Sequence, residues 1–155
     1  MKKFKFKLQK LLDLKIRKED FVKEQFAKAV RKLETEKDFL IQASSELSEE
    51  RQQQKARRLQ QRISSDQELQ YQCFFKKLQN KIAATQIKVN QAANVVNQKR
   101  AELIQARKDR RIIEELKEKQ INEYLLMVDK EENKVLDEIA TMAAARENEF
   151  VMKGI

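Results

Sequence analysis

The sequence predicts an all-α fold, an antiparallel two-helix coiled-coil hairpin whose C-terminal helix is the longer one. Three observations carry this. The 155 residues include no proline and a single glycine, and 38% are charged. Composition of this kind, rich in Ala, Glu, Lys, Leu, Arg and Gln, reads as long helices or coiled coil. Apolar residues recur in alternating steps of four and three along two stretches, the spacing of a coiled-coil seam. Between those stretches lies a Ser/Gln/Arg-rich segment, the one compositional shift in the chain.

The first stretch runs from Phe4 to about Gln61. Leu8, Leu12, Lys15, Glu19, Val22, Phe26, Ala29, Leu33, Glu36, Leu40, Ala43 and Leu47 keep the four–three spacing. Lys15, Glu19 and Glu36 are its charged exceptions. Phe4, Phe6 and Leu8 alternate, so the first residues could be extended before Leu11 and Leu12 switch the period to helical. Beyond Leu47 the same register meets Glu50, Gln54, Arg57 and Gln61, and the seam turns polar.

The turn is expected near Ser64. Ser65-Asp66-Gln67-Glu68 has the S-x-x-E form of a capping box, in which the Ser65 hydroxyl accepts from the Glu68 backbone N–H and Glu68 reaches back. Ser44-Ser45 is the rival turn, with Ser45 or Ser48 as cap. The expected organisation is a single hairpin over 1–155: helix one about 5–61, turn about 62–65, helix two about 66–150.

The second stretch, from Gln67 on, holds nothing that breaks a helix before Gly154. Its seam is Leu78, Ile82, Thr85, Val89, Ala92, Val96, Lys99, Leu103, Ala106, Arg110 and Ile113. At about 1.5 Å per residue such a helix would reach roughly 130 Å, so it needs a partner helix rather than a globular core. A short turn near Ser64 sets residue i of helix one opposite about residue 127−i of helix two. Helix one then runs out near Glu123. Beyond it Val128, Val135, Leu136, Ile139 and Met142 still draw an apolar stripe, with nothing in the hairpin to cover it. Contiguous bare apolar surface marks a binding site; a fold-back, a fraying end or self-association would also use it. A helix owes most of its stability to packing such a stripe. Residues 124–142 are therefore expected to be mobile or marginally helical until covered.

Charge is uneven. The whole chain carries a formal net charge of +9, yet residues 112–149 hold more acidic than basic side chains. A basic hairpin body with an acidic end can steer association with a complementary surface. Just after the turn, Tyr71, Phe74, Phe75, Leu78 and Ile82 cluster. They either pack on Leu40, Ala43 and Leu47 or form a docking patch, since aromatics anchor interfaces.

Several function classes drop out. No histidine is present, so His-based acid/base chemistry and His ligation are impossible. Cys73 is alone, which fits a reducing cytoplasm and removes any internal disulfide. A phosphate-cradling glycine loop needs more than Gly154. Carboxylates sit near Lys or Arg at helical spacing, as in Glu115/Lys119 and Glu131/Lys134. No catalytic, cofactor or metal residues are expected, and the chain reads as non-enzymatic. No apolar run approaches the ~18 residues of a membrane span. The start MKKFKFKLQKLL looks superficially like a signal peptide, but lysines interrupt its apolar part. A pI near 9.6 hints at nucleic acid. The densest basic run, QKRAELIQARKDRR, already contributes Leu103 and Ala106 to the seam, so no specific nucleic-acid binding is expected.

Three stretches resemble one family. FKFKLQKLLDLKIRKED resembles the opening of the flagellar export family called FliJ: F-x-F-x-L, paired leucines, then mixed charge. LQYQCFFKKLQNKI is similar to its aromatic stretch after the turn, and RRIIEELKEKQINEYLLMVDKEENKVLDEIATMAAARE to its C-terminal pattern. The resemblance implies a cytoplasmic stalk of a type III export machine serving motility, peripheral at the inner face of the cell membrane. It implies three partners: the hexameric export ATPase, whose ring the helix ends enter; the cytoplasmic domain of the export gate; and export chaperones. Residue by residue, Phe4, Phe6, Leu8, Leu12, Tyr124, Val128, Val135, Ile139 and Met142 fall to the ATPase ring. Phe74 and Leu78, with Tyr71, Phe75, Leu40 and Leu47, fall to the gate. An injectisome stalk protein and a generic homo-oligomeric coiled coil are the alternatives.

Overall fold

The computed structural model describes residues 4–60 and 63–153, with side chains through Arg146. Two helices account for nearly all of it: α1, Gln9–Leu59, and α2, Ser65–Lys153. They pack against each other as an antiparallel all-α hairpin. The chain divides into two units, Met1–Ile16 with Lys108–Ile155, and Arg17–Arg107. Each contains a segment of both helices.

In the unit Arg17–Arg107 the core is the four–three seam. Val22, Ala43, Leu78, Val89, Ala92, Val96, Leu103 and Ala106 are buried. Phe26, Leu33, Leu40, Leu47 and Ile82 are half-buried. Two helices cannot enclose their seam as a globule does, and among the described residues of this unit the small Ala43, at 1% exposure, is enclosed while the larger seam side chains keep some contact with water. Charged pairs across the seam record the antiparallel register. Lys81 Nζ lies 3.6 Å from Glu46, and Arg107 Nε 3.5 Å from Glu19. In the other unit, Lys15 Nζ donates to Asp109 Oδ2 at 3.0 Å, and Lys117 Nζ to Gln9 Oε1 at 2.9 Å. These pairs match the expected facing of residue i with about 127−i.

The connection differs from expectation in detail. Ser64, not Ser65, caps α2. Its hydroxyl accepts from the Gln67 N–H at 3.4 Å, and Gln67 Oε1 accepts from the Ser64 N–H at 3.2 Å. This is a reciprocal S-x-x-Q box one residue earlier than the expected S-x-x-E. Ser65 is already helical. Glu68 is unavailable to reach back, because Arg58 and Gln54 hold its carboxylate across the turn. Ile63 and Ser64 are non-helical. The expected turn residue Arg62 and the expected last residue of helix one, Gln61, lie outside the described residues.

Helix one was expected from about residue 5, and it begins at Gln9. The alternating Phe4 and Phe6 stay out of the helix, and the Gln9 N–H closes a tight turn on the Phe6 carbonyl at 3.3 Å. Ser44-Ser45 is not a turn. The helix runs through it, and Ser45 donates to Glu49 one turn on. Residues 124–142 are helical throughout, and the expectation that they are mobile or marginal while uncovered is a matter for amide exchange. No glycine or proline interrupts them, and Ala, Glu, Leu and Lys have high helix propensity.

Candidate docking surfaces

Near the turn, in Arg17–Arg107, the polar seam residues find specific partners. Gln54 is buried and donates to Glu68 Oε1 at 3.1 Å. Hydrogen bonding to Arg58, foremost, holds the Glu68 carboxyl below its ordinary value, while partial desolvation opposes the shift. Lys28 does the same for Glu24. Arg57, a further position of the polar seam, lies over the Tyr71 ring at 5.3 Å.

Tyr71 and Phe75 stack with centroids 6.3 Å apart, and Phe74 tilts against Phe75 at the same distance. The six residues expected to form the gate patch separate by depth. Leu78 is buried, at 5% exposure, inside the seam. Tyr71, Phe75, Leu40 and Leu47 are half-buried seam residues. Phe74 alone of the six reaches the surface, at 37% exposure. It lines a groove of about 670 Å³ with Arg57, Ile63, Gln67, Gln70 and Tyr71. The heptad explains the split: Phe75 and Leu78 are seam positions, whereas Phe74 stands one residue off.

In the other unit, Phe4 packs on Tyr124 with centroids 5.6 Å apart, and the Lys117 ammonium lies 5.9 Å from the Phe6 ring centroid. Leu12 is buried, and Leu8 is exposed at the margin. Val128 is half-buried, and every residue from 129 to 146 is exposed. Val135, Leu136, Ile139 and Met142 are 54–62% exposed. The nine residues assigned to the ring thus fall into two sets. Phe4, Phe6, Leu12, Tyr124 and Val128 pack, or partly pack, where α1 begins. Val135, Ile139 and Met142 stand on bare helix, and Leu8 lies between the two conditions. Leu125, Leu126 and Met127 add to the exposed apolar surface; the sequence register pointed to Val128 and passed over them.

Sequence reasoning also missed Phe39 and Val95. Both are exposed, at 55% and 44%. Each stands one residue before a seam position, a signal visible once the register is written out.

Among the described residues, no helix is long and apolar enough to cross a membrane, and no group of His, Cys, Asp or Glu side chains could hold a metal ion. What the arrangement offers is surface: an aromatic-lined groove beside the turn, and a bare amphipathic helix. No curated protein and no solved structure matches the chain. The family described as flagellar FliJ protein matches residues 4–149, nearly the full length and all three stretches that carried the resemblance. The chain belongs to the FliJ family and is a coiled-coil component related to flagellar export.

Proposed function

We propose that the chain is a stalk that enters the hexameric export ATPase ring and promotes its assembly and activity. The observation that carries this reading is the helix from 129 to 146, exposed on every side, with Val135, Leu136, Ile139 and Met142 bare to solvent. A helix end with an apolar stripe suits insertion into a ring, where several subunits cover it together. The flagellar character of the family favours this over an injectisome stalk. Phe74, with the groove beside it, supports a second contact, to the cytoplasmic domain of the export gate, and chaperones remain partners that the family suggests. Such a protein works at the inner face of the membrane through the export apparatus.

The test is ATP hydrolysis and hexamer formation by the cognate export ATPase, titrated with the full chain. Wild-type chain should raise both. Val135→Asp with Ile139→Asp should abolish the effect while helical content is retained. Undiminished stimulation by that variant would remove the overhang from the mechanism.

A further inference from the structure

The seam of Arg17–Arg107 contains alanines, among them Ala29, Ala43 and Ala92. Short side chains at a seam leave a trough on the surface between two helices. Two grooves, of about 380 and 410 Å³, follow one another there and share Glu36 and Lys88. Both open on the same face. Lys32, Phe39 and Glu46 recur every seven residues on α1, and Lys81, Lys88 and Val95 on α2, each one residue before a seam position. The joint groove thus has an apolar lining from the exposed Phe39 and Val95, a lysine on each rim, and the half-buried seam residue Glu36 lining both of its parts. Lys32 and Lys88 form no ion pair among the described residues, while Lys81 is held by Glu46.

The chain carries a helix of complementary character. On residues 125–142, Leu125, Val128, Val135, Ile139 and Met142 fall on one side at about 100° per residue. Glu131 and Glu138 flank that stripe on one edge and Asp129 on the other, and Glu132 falls within it between Leu125 and Ile139. The exposed part of α2 is long enough to fill the groove. The groove runs along α1 from Ala29 to Glu46, roughly 26 Å at about 1.5 Å per residue. Residues 125–142 span the same number of positions.

We propose that this groove receives residues 125–142 of a second copy of the chain, forming a local three-helix bundle. The apolar stripe covers Phe39 and Val95, and the acidic flanks meet Lys32 and Lys88. This is helix-in-groove recognition, with apolar burial giving affinity and flanking charge giving orientation. The contact keeps the bare helix covered while no larger partner is present, and it competes with any partner that takes the same stripe.

Sedimentation velocity on the full chain carrying Cys73→Ser is the first test. The chain should associate reversibly with rising concentration, and more weakly as salt is raised. Lys32→Glu with Lys88→Glu should weaken association about tenfold or more, and Ile139→Asp should do the same. All three positions are exposed, so circular dichroism should be unchanged. The second test mixes a chain carrying Phe39→Cys with a mass-tagged chain carrying Ile139→Cys. A disulfide should join the two variants. A chain that stays monomeric at ~100 µM in low salt, the weak end of specific binding, overturns the proposal. So do crosslinks confined to Ile139→Cys with itself, or crosslinks within one chain when both cysteines are placed together. A monomeric chain that still stimulates the ATPase would overturn this contact and leave the stalk reading standing.

Discussion

Arg58, in the last turn of α1, donates from Nε to Glu68 Oε2 at 3.4 Å and from its second guanidinium nitrogen to Oε1. Ten residues separate them in sequence, and the turn lies between. Gln54, buried one turn earlier on α1, donates to the same carboxylate. One acid in the first turn of α2 therefore gathers the end of α1 and fixes how the chain reverses. The pairing also suits both helix dipoles, with basic groups at the C-terminus of α1 and an acid at the N-terminus of α2.

This clamp should be sensitive to acid. The Glu68 carboxyl is held below its ordinary value of about 4.5 by Arg58. A group whose pKa is depressed on folding stabilises the fold above its unfolded pKa, and the contribution is lost as pH falls through the folded pKa. The melting midpoint of wild type should exceed that of Glu68→Gln by a constant margin well above pH 4.5. The margin should shrink below it. Thermal melts by circular dichroism at stepped pH read this directly, and a margin that persists in strong acid would assign the difference to something other than charge.

Lys15 and Asp109 occupy the seam region in the same way, each about a quarter exposed. A double-mutant cycle of Lys15→Ala and Asp109→Ala should give a coupling of roughly 0.2–1 kcal/mol, the range for pairs still screened by water. The coupling should fall at high salt. The value of the pair is register: a slip of either helix would set these charges against apolar seam residues.

Depth separates Leu78 from Phe74. Leu78→Ala should destabilise the hairpin by about 2–3 kcal/mol, because it empties a buried seam position. Phe74→Ala should cost only about 0.5–1 kcal/mol, as a partly exposed side chain. If Phe74 anchors a partner, its substitution weakens that binding by about 1–3 kcal/mol with the melt nearly unchanged. The stability difference between the two variants is measurable without any partner.

Amide exchange should distinguish the two halves of α2. Amides around Val89 to Leu103 should be protected in the free chain, since both helices pack there. In the dilute monomer, amides from 129 to 146 should exchange orders of magnitude faster, because their side chains are exposed throughout. Adding the export ATPase should slow exchange in the second set selectively. Protection of 129–146 in a dilute monomer would show a cover from within the chain and would exclude the bare helix as an insertion element.

Much of the architecture was legible in the chain itself. Helix, seam and register follow from the spacing of Leu, Val and Ala, because a side chain's direction on a helix depends only on its position in the sequence. Leu103 and Ala106 point to the seam whatever lies opposite. The absence of proline and of internal glycine fixed that the helices continue, even where no partner helix accompanies α2. The tertiary structure decided what depends on residues distant in sequence. Ser64 takes the cap because Glu68 is drawn away by Arg58 and Gln54. Leu78 is buried while Phe74 is exposed, because depth depends on how the opposite helix closes over each position. The groove of Lys32, Phe39, Lys88 and Val95 exists because short seam side chains from two helices come together there. Periodicity tells a residue which way to face; only the packing of the partner helix determines how much of it remains in water.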